Sequence, residues 1–220
     1  MNEKLDKMDV FFDKKAASYD SHMIDEMGLN EFYNEIQKCL PHSNKILNFL
    51  DLGCGTGLQI EKIFINCPNA NITGIDLSSE MLKLLEKKFL DKINQIDLIN
   101  DSYFDVDFGI EKYDYSISTY SLHHFDIEQK KTLYRRIYIA LKEDGIFIEG
   151  DYTVNSIEEE KYYFSEYRRI CKDNKIENGY FHYDTPLYFK TQEALLYEAG
   201  FKKVAIVKQW ESTSIFICYK

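Results

Sequence analysis

The chain has 220 residues, 45% hydrophobic and 15% aromatic, with only 10 glycines and 3 prolines, which suits one ordered domain and excludes long flexible linkers. Its 27 basic and 37 acidic residues leave a net charge of −10, which disfavours nucleic acid and membrane surfaces as partners; separately, a small-molecule substrate and a monomer or homodimer are expected. Cys39, Cys54, Cys67, Cys171 and Cys218 show no metal-ligand spacing, Met1-Asn2-Glu3-Lys4 opens a polar segment without a signal core, and no run approaches the roughly 20 apolar residues of a membrane span, so a cytoplasmic, reduced, metal-free protein is expected.

Residues 1–40 read as an N-terminal helical cap, with Leu29, Phe32, Tyr33, Ile36 and Leu40 on one apolar stripe. From there strand-like and helix-like patterns alternate, as in a parallel sheet covered by helices on both faces. Strands are placed at 46–52, 71–76, 96–100, 113–119 and 145–151, and helices at 58–65, 79–89 and 127–141. Asp126 and Gln129 form a capping box for the last of these helices. An insertion over 153–190, helical and rich in aromatics, follows strand five. Residues 191–220 hold a helix closed by Gly200 and two strands joined so tightly that they must be antiparallel. The whole is one domain, 1–220, whose ligand-binding core spans 41–152.

The chemistry gathers at the carboxyl ends of the strands, where open α/β sheets bind ligands. Strand one runs into Asp51-Leu52-Gly53-Cys54-Gly55-Thr56-Gly57, a tight glycine loop that opens a helix. Asp76 ends strand two, where two carboxylate oxygens can accept from both hydroxyls of a ribose. Asp101 and Ser102 follow strand three, placed for an adenine edge, and Thr119 to His124 follow strand four. The run is GxGxG with Leu58 in the sixth place, and Asp51 would repel a pyrophosphate, which disfavours a nicotinamide dinucleotide.

With these residues assembled, the chain resembles the class I S-adenosylmethionine-dependent methyltransferases, within the broad group that includes ubiquinone and menaquinone biosynthesis enzymes. The glycine motif, Asp76-Leu77, Asp101-Ser102, Tyr113-Asp114-Tyr115, the leader Phe11-Phe12-Asp13 to Tyr19-Asp20 and Ser121-Leu122-His123-His124-Phe125 carry the likeness. It implies a Rossmann-like three-layer sandwich whose seven-stranded, mostly parallel sheet has an antiparallel last strand, lidded by the N-terminal helices and the insertion. It also implies S-adenosylmethionine as cofactor, S-adenosylhomocysteine as product, and in-line methyl transfer governed by positioning. Residue by residue, the resemblance makes Gly53, Gly55 and Gly57 backbone contacts to the methionine part, with Asp51 supporting the loop. Asp76 holds the ribose, Leu77 lies on the adenine, Asp101 accepts from its amine, Thr119 offers its carbonyl to the ammonium, and Tyr19 closes over the cofactor. His123 and His124 are candidates to act on the acceptor, with Asp151, Tyr152 and His182 around it. The alternative is a degenerate member of the fold that holds the cofactor or a partner protein without turnover.

Overall fold

A computed structural model of the chain describes residues 5–176 and 178–220; the polar opening at 1–4 lies outside them. Seven strands form one continuous sheet: β1 (Asn48–Leu52), β2 (Asn71–Asp76), β3 (Ile96–Asn100), β4 (Tyr113–Thr119), β5 (Leu141–Val154), β7 (Lys203–Gln209) and β8 (Thr213–Tyr219). Their order is β3-β2-β1-β4-β5-β8-β7, and a two-residue β6 (Leu187–Tyr188) pairs with the end of β5. Strand β8 runs antiparallel to both neighbours. It is the reversed last strand that the short connection after Gln209 demands.

Strand order reverses between β1 and β4, so their carboxyl ends open a crevice. Alternation builds the layers. Leu50 and Leu52 of β1 face a core shared with Tyr134, Phe147 and Phe216, while Phe49 faces a second core with Ile36, Ile60 and Ile148. Helices α6 (Ile127–Ala140) and α8 (Phe189–Ala199) supply the first layer, and α3 (Asn30–Cys39) and α4 (Leu58–Asn66) the second. The Asp126/Gln129 capping box opens α6, and Gly200, at φ +116, closes α8 in the left-handed conformation that favours glycine.

Strand β5 is longer than its apolar run. Lys142, Glu143 and Asp144 are poor strand formers, yet pairing of Tyr113 with Leu141 carries the ladder past them through a register shift. The insertion holds an 18-residue helix, α7 (Ile157–Asn174), whose N-cap Ser156 accepts from the Glu159 N–H and whose first turn carries Glu158, Glu159 and Glu160. The N-terminal cap is α1 (Met8–Lys15), a tight turn, α2 (Tyr19–Ser21) and a widened π turn over 22–26. It is fastened by carboxylates: Asp13 accepts from Ser78 Oγ and Glu80 N–H at 2.6 and 3.1 Å, and Asp20 meets Thr56 and Lys88.

Candidate active site

The loop after β1 can pass only as glycine at one point. Gly53 has φ +72, and a Cβ there would lie 2.1 Å from Ser121 Oγ. Its N–H and that of Cys54 donate to the Ile75 carbonyl at 2.9 and 3.2 Å, which locks the loop to the end of β2. Asp76 then cradles the loop: Oδ2 accepts from the Gly55 N–H and Oδ1 from the Ser78 N–H, both at 2.8 Å. Burial pushes the Asp76 carboxyl up to about 6, against the pull of those two donors. Beneath it Asp51 is fully buried, with both oxygens on Gln59 Nε2 at 2.8 and 2.9 Å. Burial raises it to about 7, a rise that Gln59 limits and Asp76 adds to.

The tertiary structure brings Tyr19, Gly53, Gly55, Asp76 and Leu77 around one small cavity of about 50 Å³ that the cap covers with Met8 and Phe12. Asp51, Gly57 and Thr119 are not among the residues that line it. Asp101 is exposed, and its Oδ1 accepts the Ser102 N–H at 2.7 Å. Ser102 is buried, and its hydroxyl accepts from the Phe104 N–H at 3.2 Å, which fastens the turn after β3.

A second cavity, of about 370 Å³, adjoins the first across Phe12, Tyr19, Tyr120 and His124, which line both. Tyr120 holds φ +48, a costly conformation for a tyrosine, and its hydroxyl is tied to Thr213 Oγ1 at 3.1 Å. On the wall, His123 Nδ1 meets Asp151 Oδ1 at 2.5 Å. Asp151 also accepts the N–H groups of Leu122, His123 and Tyr152 at 2.8, 2.9 and 2.8 Å, which clamps the turn after β4 onto the end of β5. Asp151 therefore does not line the cavity, contrary to the sequence reading; it acts behind His123.

Burial would depress the His123 imidazole, but Asp151 and then Asp184 more than offset it and push it up to about 9. His124 is pushed down to about 4, first by burial and then by the charge on His123. Asp184, opposed by burial, is held well below the usual carboxylate range by the two imidazoles. Tyr152 stands edge-on to His123 with ring centres 4.8 Å apart, His182 stacks on Phe11 at 3.6 Å, and both line the cavity.

Tyr120, from the stretch after β4, also lines it, as do Asp184, His22 and Glu26, which carry no mark in the strand-end pattern. Lys15, Ser18, Tyr19, His22 and Glu26 do recur at helical spacing on the cap, a face periodicity that identifies the cavity side once the cap is known to be helical. Asp184 has no such signal, since its position depends on how residues 180–186 fold back to the Thr185 hydrogen bond with the His123 carbonyl at 2.7 Å.

The family model described as "Methyltransferase domain" matches residues 49–145, from β1 to the start of β5. A carboxy-S-adenosyl-L-methionine synthase of Nautilia profundicola is 25% identical over 228 aligned residues, covering 95% of this chain and 94% of that protein. A malonyl-[acyl-carrier protein] O-methyltransferase of Ilyobacter polytropus is 30% identical over 64% of this chain, which spans only 52% of that enzyme's length. Among solved structures, the complex of DhpI with S-adenosylhomocysteine superposes with a TM-score of 0.70 at 14% identity, covering 95% of this chain and 93% of DhpI. At that identity the structural likeness speaks for the fold alone.

Proposed function

We propose that the chain is a class I S-adenosylmethionine-dependent methyltransferase that methylates a small molecule seated in the cavity between the cap and His123. The observation that carries the reading is the shared wall: the glycine cradle and the 370 Å³ cavity meet at Phe12, Tyr19, Tyr120 and His124, so donor and acceptor sites are contiguous. S-adenosylmethionine, when bound, supplies a methyl group activated on a cationic sulfur. The cradle suits it. Asp76 keeps lone pairs beyond its two backbone bonds for ribose hydroxyls, Gly53 leaves room that any side chain would fill, and the acids at 51 and 76 favour a cationic ligand over a pyrophosphate. Asp101 and Thr119 are assigned to the adenine amine and the methionine ammonium on the resemblance.

On the acceptor side the residues position and exclude water. Asp151 holds the His123 ring by Nδ1 and leaves Nε2 on the side of Asp184, and Tyr120, Tyr152 and Phe12 wall the cavity with aromatic surface that suits a partly apolar molecule. The cysteines are all free, and among the described residues no helix is long and apolar enough to cross a membrane; we place the reaction in the cytoplasm.

A second reading rests on the relatives named carboxy-S-adenosyl-L-methionine synthase, because one of them aligns over 95% of this chain. One experiment separates the two. With a donor isotopically labelled in the methyl group and a metabolite extract as acceptor source, methyl transfer puts the label into an acceptor and releases unlabelled S-adenosylhomocysteine. Label retained on a carboxylated sulfonium product overturns the proposal in favour of the second reading.

A further inference from the structure

We propose that His123, His124 and Asp184 form a binding site for a first-row divalent transition metal, of the zinc or cobalt kind, on the acceptor side of the active site. The role assigned to it rests on the methyl-transfer reading; the binding itself does not. The three residues come from two distant segments, the turn after β4 and the strap that follows α7, and their donor atoms lie within 4.8 Å of one another. His123 Nε2 is 3.5 Å and His124 Nδ1 is 3.3 Å from the same oxygen, Asp184 Oδ1. Those separations are long for charge-assisted hydrogen bonds, which fall at about 2.7–2.9 Å. They match the donor-to-donor edge of about 3.4 Å in a tetrahedral site built from bonds of about 2.1 Å, and the two imidazole nitrogens, within 4.8 Å of each other, draw together as the metal binds.

A second observation points to the same ligand. Asp184 Oδ1 is buried yet takes part in no hydrogen bond of acceptable geometry. That oxygen has the two imidazoles at ion-pair distance but no hydrogen bond, an arrangement that a metal cation seated among the three donors would complete. His123 is also arranged as metal-ligating histidines are: Nδ1 is engaged by Asp151 at 2.5 Å, which fixes the ring and leaves Nε2 as the ligating atom. His124 Nδ1 has a competing partner, the Tyr183 carbonyl at 3.2 Å, and ligation moves its proton to Nε2 and gives that contact up. Imidazole and carboxylate together select zinc-like ions over magnesium or calcium, which prefer all-oxygen sites.

All three residues line the 370 Å³ cavity, so the positions they leave open on the metal face the acceptor. The acceptor class that follows is one with an oxygen able to ligate the metal, such as a hydroxyl or carboxylate. Ligation there would orient that oxygen and ease its deprotonation.

The test uses the full chain, stripped of metal with a chelator and titrated with Co2+ alone. One equivalent should bind and give the intense visible absorption of a four- or five-coordinate nitrogen/oxygen site. Asp184→Asn, at a half-exposed residue, should weaken binding at least tenfold, and His124→Gln likewise, with an unchanged thermal midpoint of the stripped protein showing that each variant is folded. His42→Gln, at an exposed histidine far along the chain, should leave it unchanged. Affinity unaltered by Asp184→Asn, a thiolate charge-transfer band, or no stoichiometric binding overturns the site. S-adenosylhomocysteine binding by the stripped protein is measured alongside. Its loss speaks against the methyl-transfer reading, whereas its persistence without cobalt binding speaks against the metal alone.

Discussion

Asp51 shows how much a single buried side chain can cost. Its carboxyl is pushed up to about 7 by burial, above the unfolded value of about 3.9. Between those two values the folded protein holds the proton more tightly than the unfolded chain, so stability falls as pH rises across the window, and the loss persists above it. Asp51→Asn keeps the shape and an oxygen for Gln59 and removes the charge. It should therefore raise stability on the order of 1–3 kcal/mol at pH 8, with the gain shrinking toward pH 4. Denaturant unfolding at the two pH values checks this, and a gap equal at both would rule out the charge as the cause. The same change should weaken cofactor binding, since the negative charge beneath the loop suits a cationic ligand. Tyr120 makes the same point through its backbone: a positive φ on a bulky residue is held at the junction of donor and acceptor cavities.

At the scale of elements, β5 and α6 enclose charges that the active site borrows. Lys130 of α6 is 1% exposed and faces Asp151, Glu149 and Glu160. Burial holds the Lys130 ammonium below its usual range, and burial followed by repulsion from Asp151 pushes Glu149 up to about 8. Glu149 Oε1 accepts from the Tyr134 hydroxyl at 2.9 Å, which binds the helix to the strand. Removing one partner from such a cluster leaves the others uncompensated. Lys130→Met, which keeps the volume, should cost about 3–5 kcal/mol in chemical denaturation. A loss below about 1 kcal/mol would show that the ammonium is not the counter-charge for Asp151.

For the whole molecule, the decisive relation is between the cap and the crevice. The cavity left under Met8 and Phe12 is about 50 Å³, far below the roughly 300 Å³ or more of a cofactor-sized pocket. The cap must open to admit a nucleoside and re-close over it. Its polar fastenings include Asp13, Asp20 and the short pairing of Lys7 with Phe181, all of which can break and re-form as the cap moves. Hydrogen exchange over residues 8–26 should be fast in the free protein and slow by at least tenfold when S-adenosylhomocysteine is bound. Protection unchanged by the ligand would show that the cofactor enters by another route.

The sequence by itself determined the sheet and the glycine loop that Asp76 cradles. Strands β2, β3 and β4 begin and end where their apolar runs do, and the glycine loop with Asp76 is legible because its spacing is local: a strand end, a turn and a helix start lie within a few residues. Where the chain is read by propensity, tertiary pairing intervenes, as in the extension of β5 through Lys142, Glu143 and Asp144. The acceptor side was decided only by the tertiary structure. His123 could be named from its motif, but its coupling to Asp151, the withdrawal of Asp151 from the cavity wall, the strained Tyr120 and the approach of Asp184 are contacts between segments 28 to 93 residues apart. No periodicity of 2 or 3.6 encodes such distances, because they are set by how the strap and cap fold back over the strand ends.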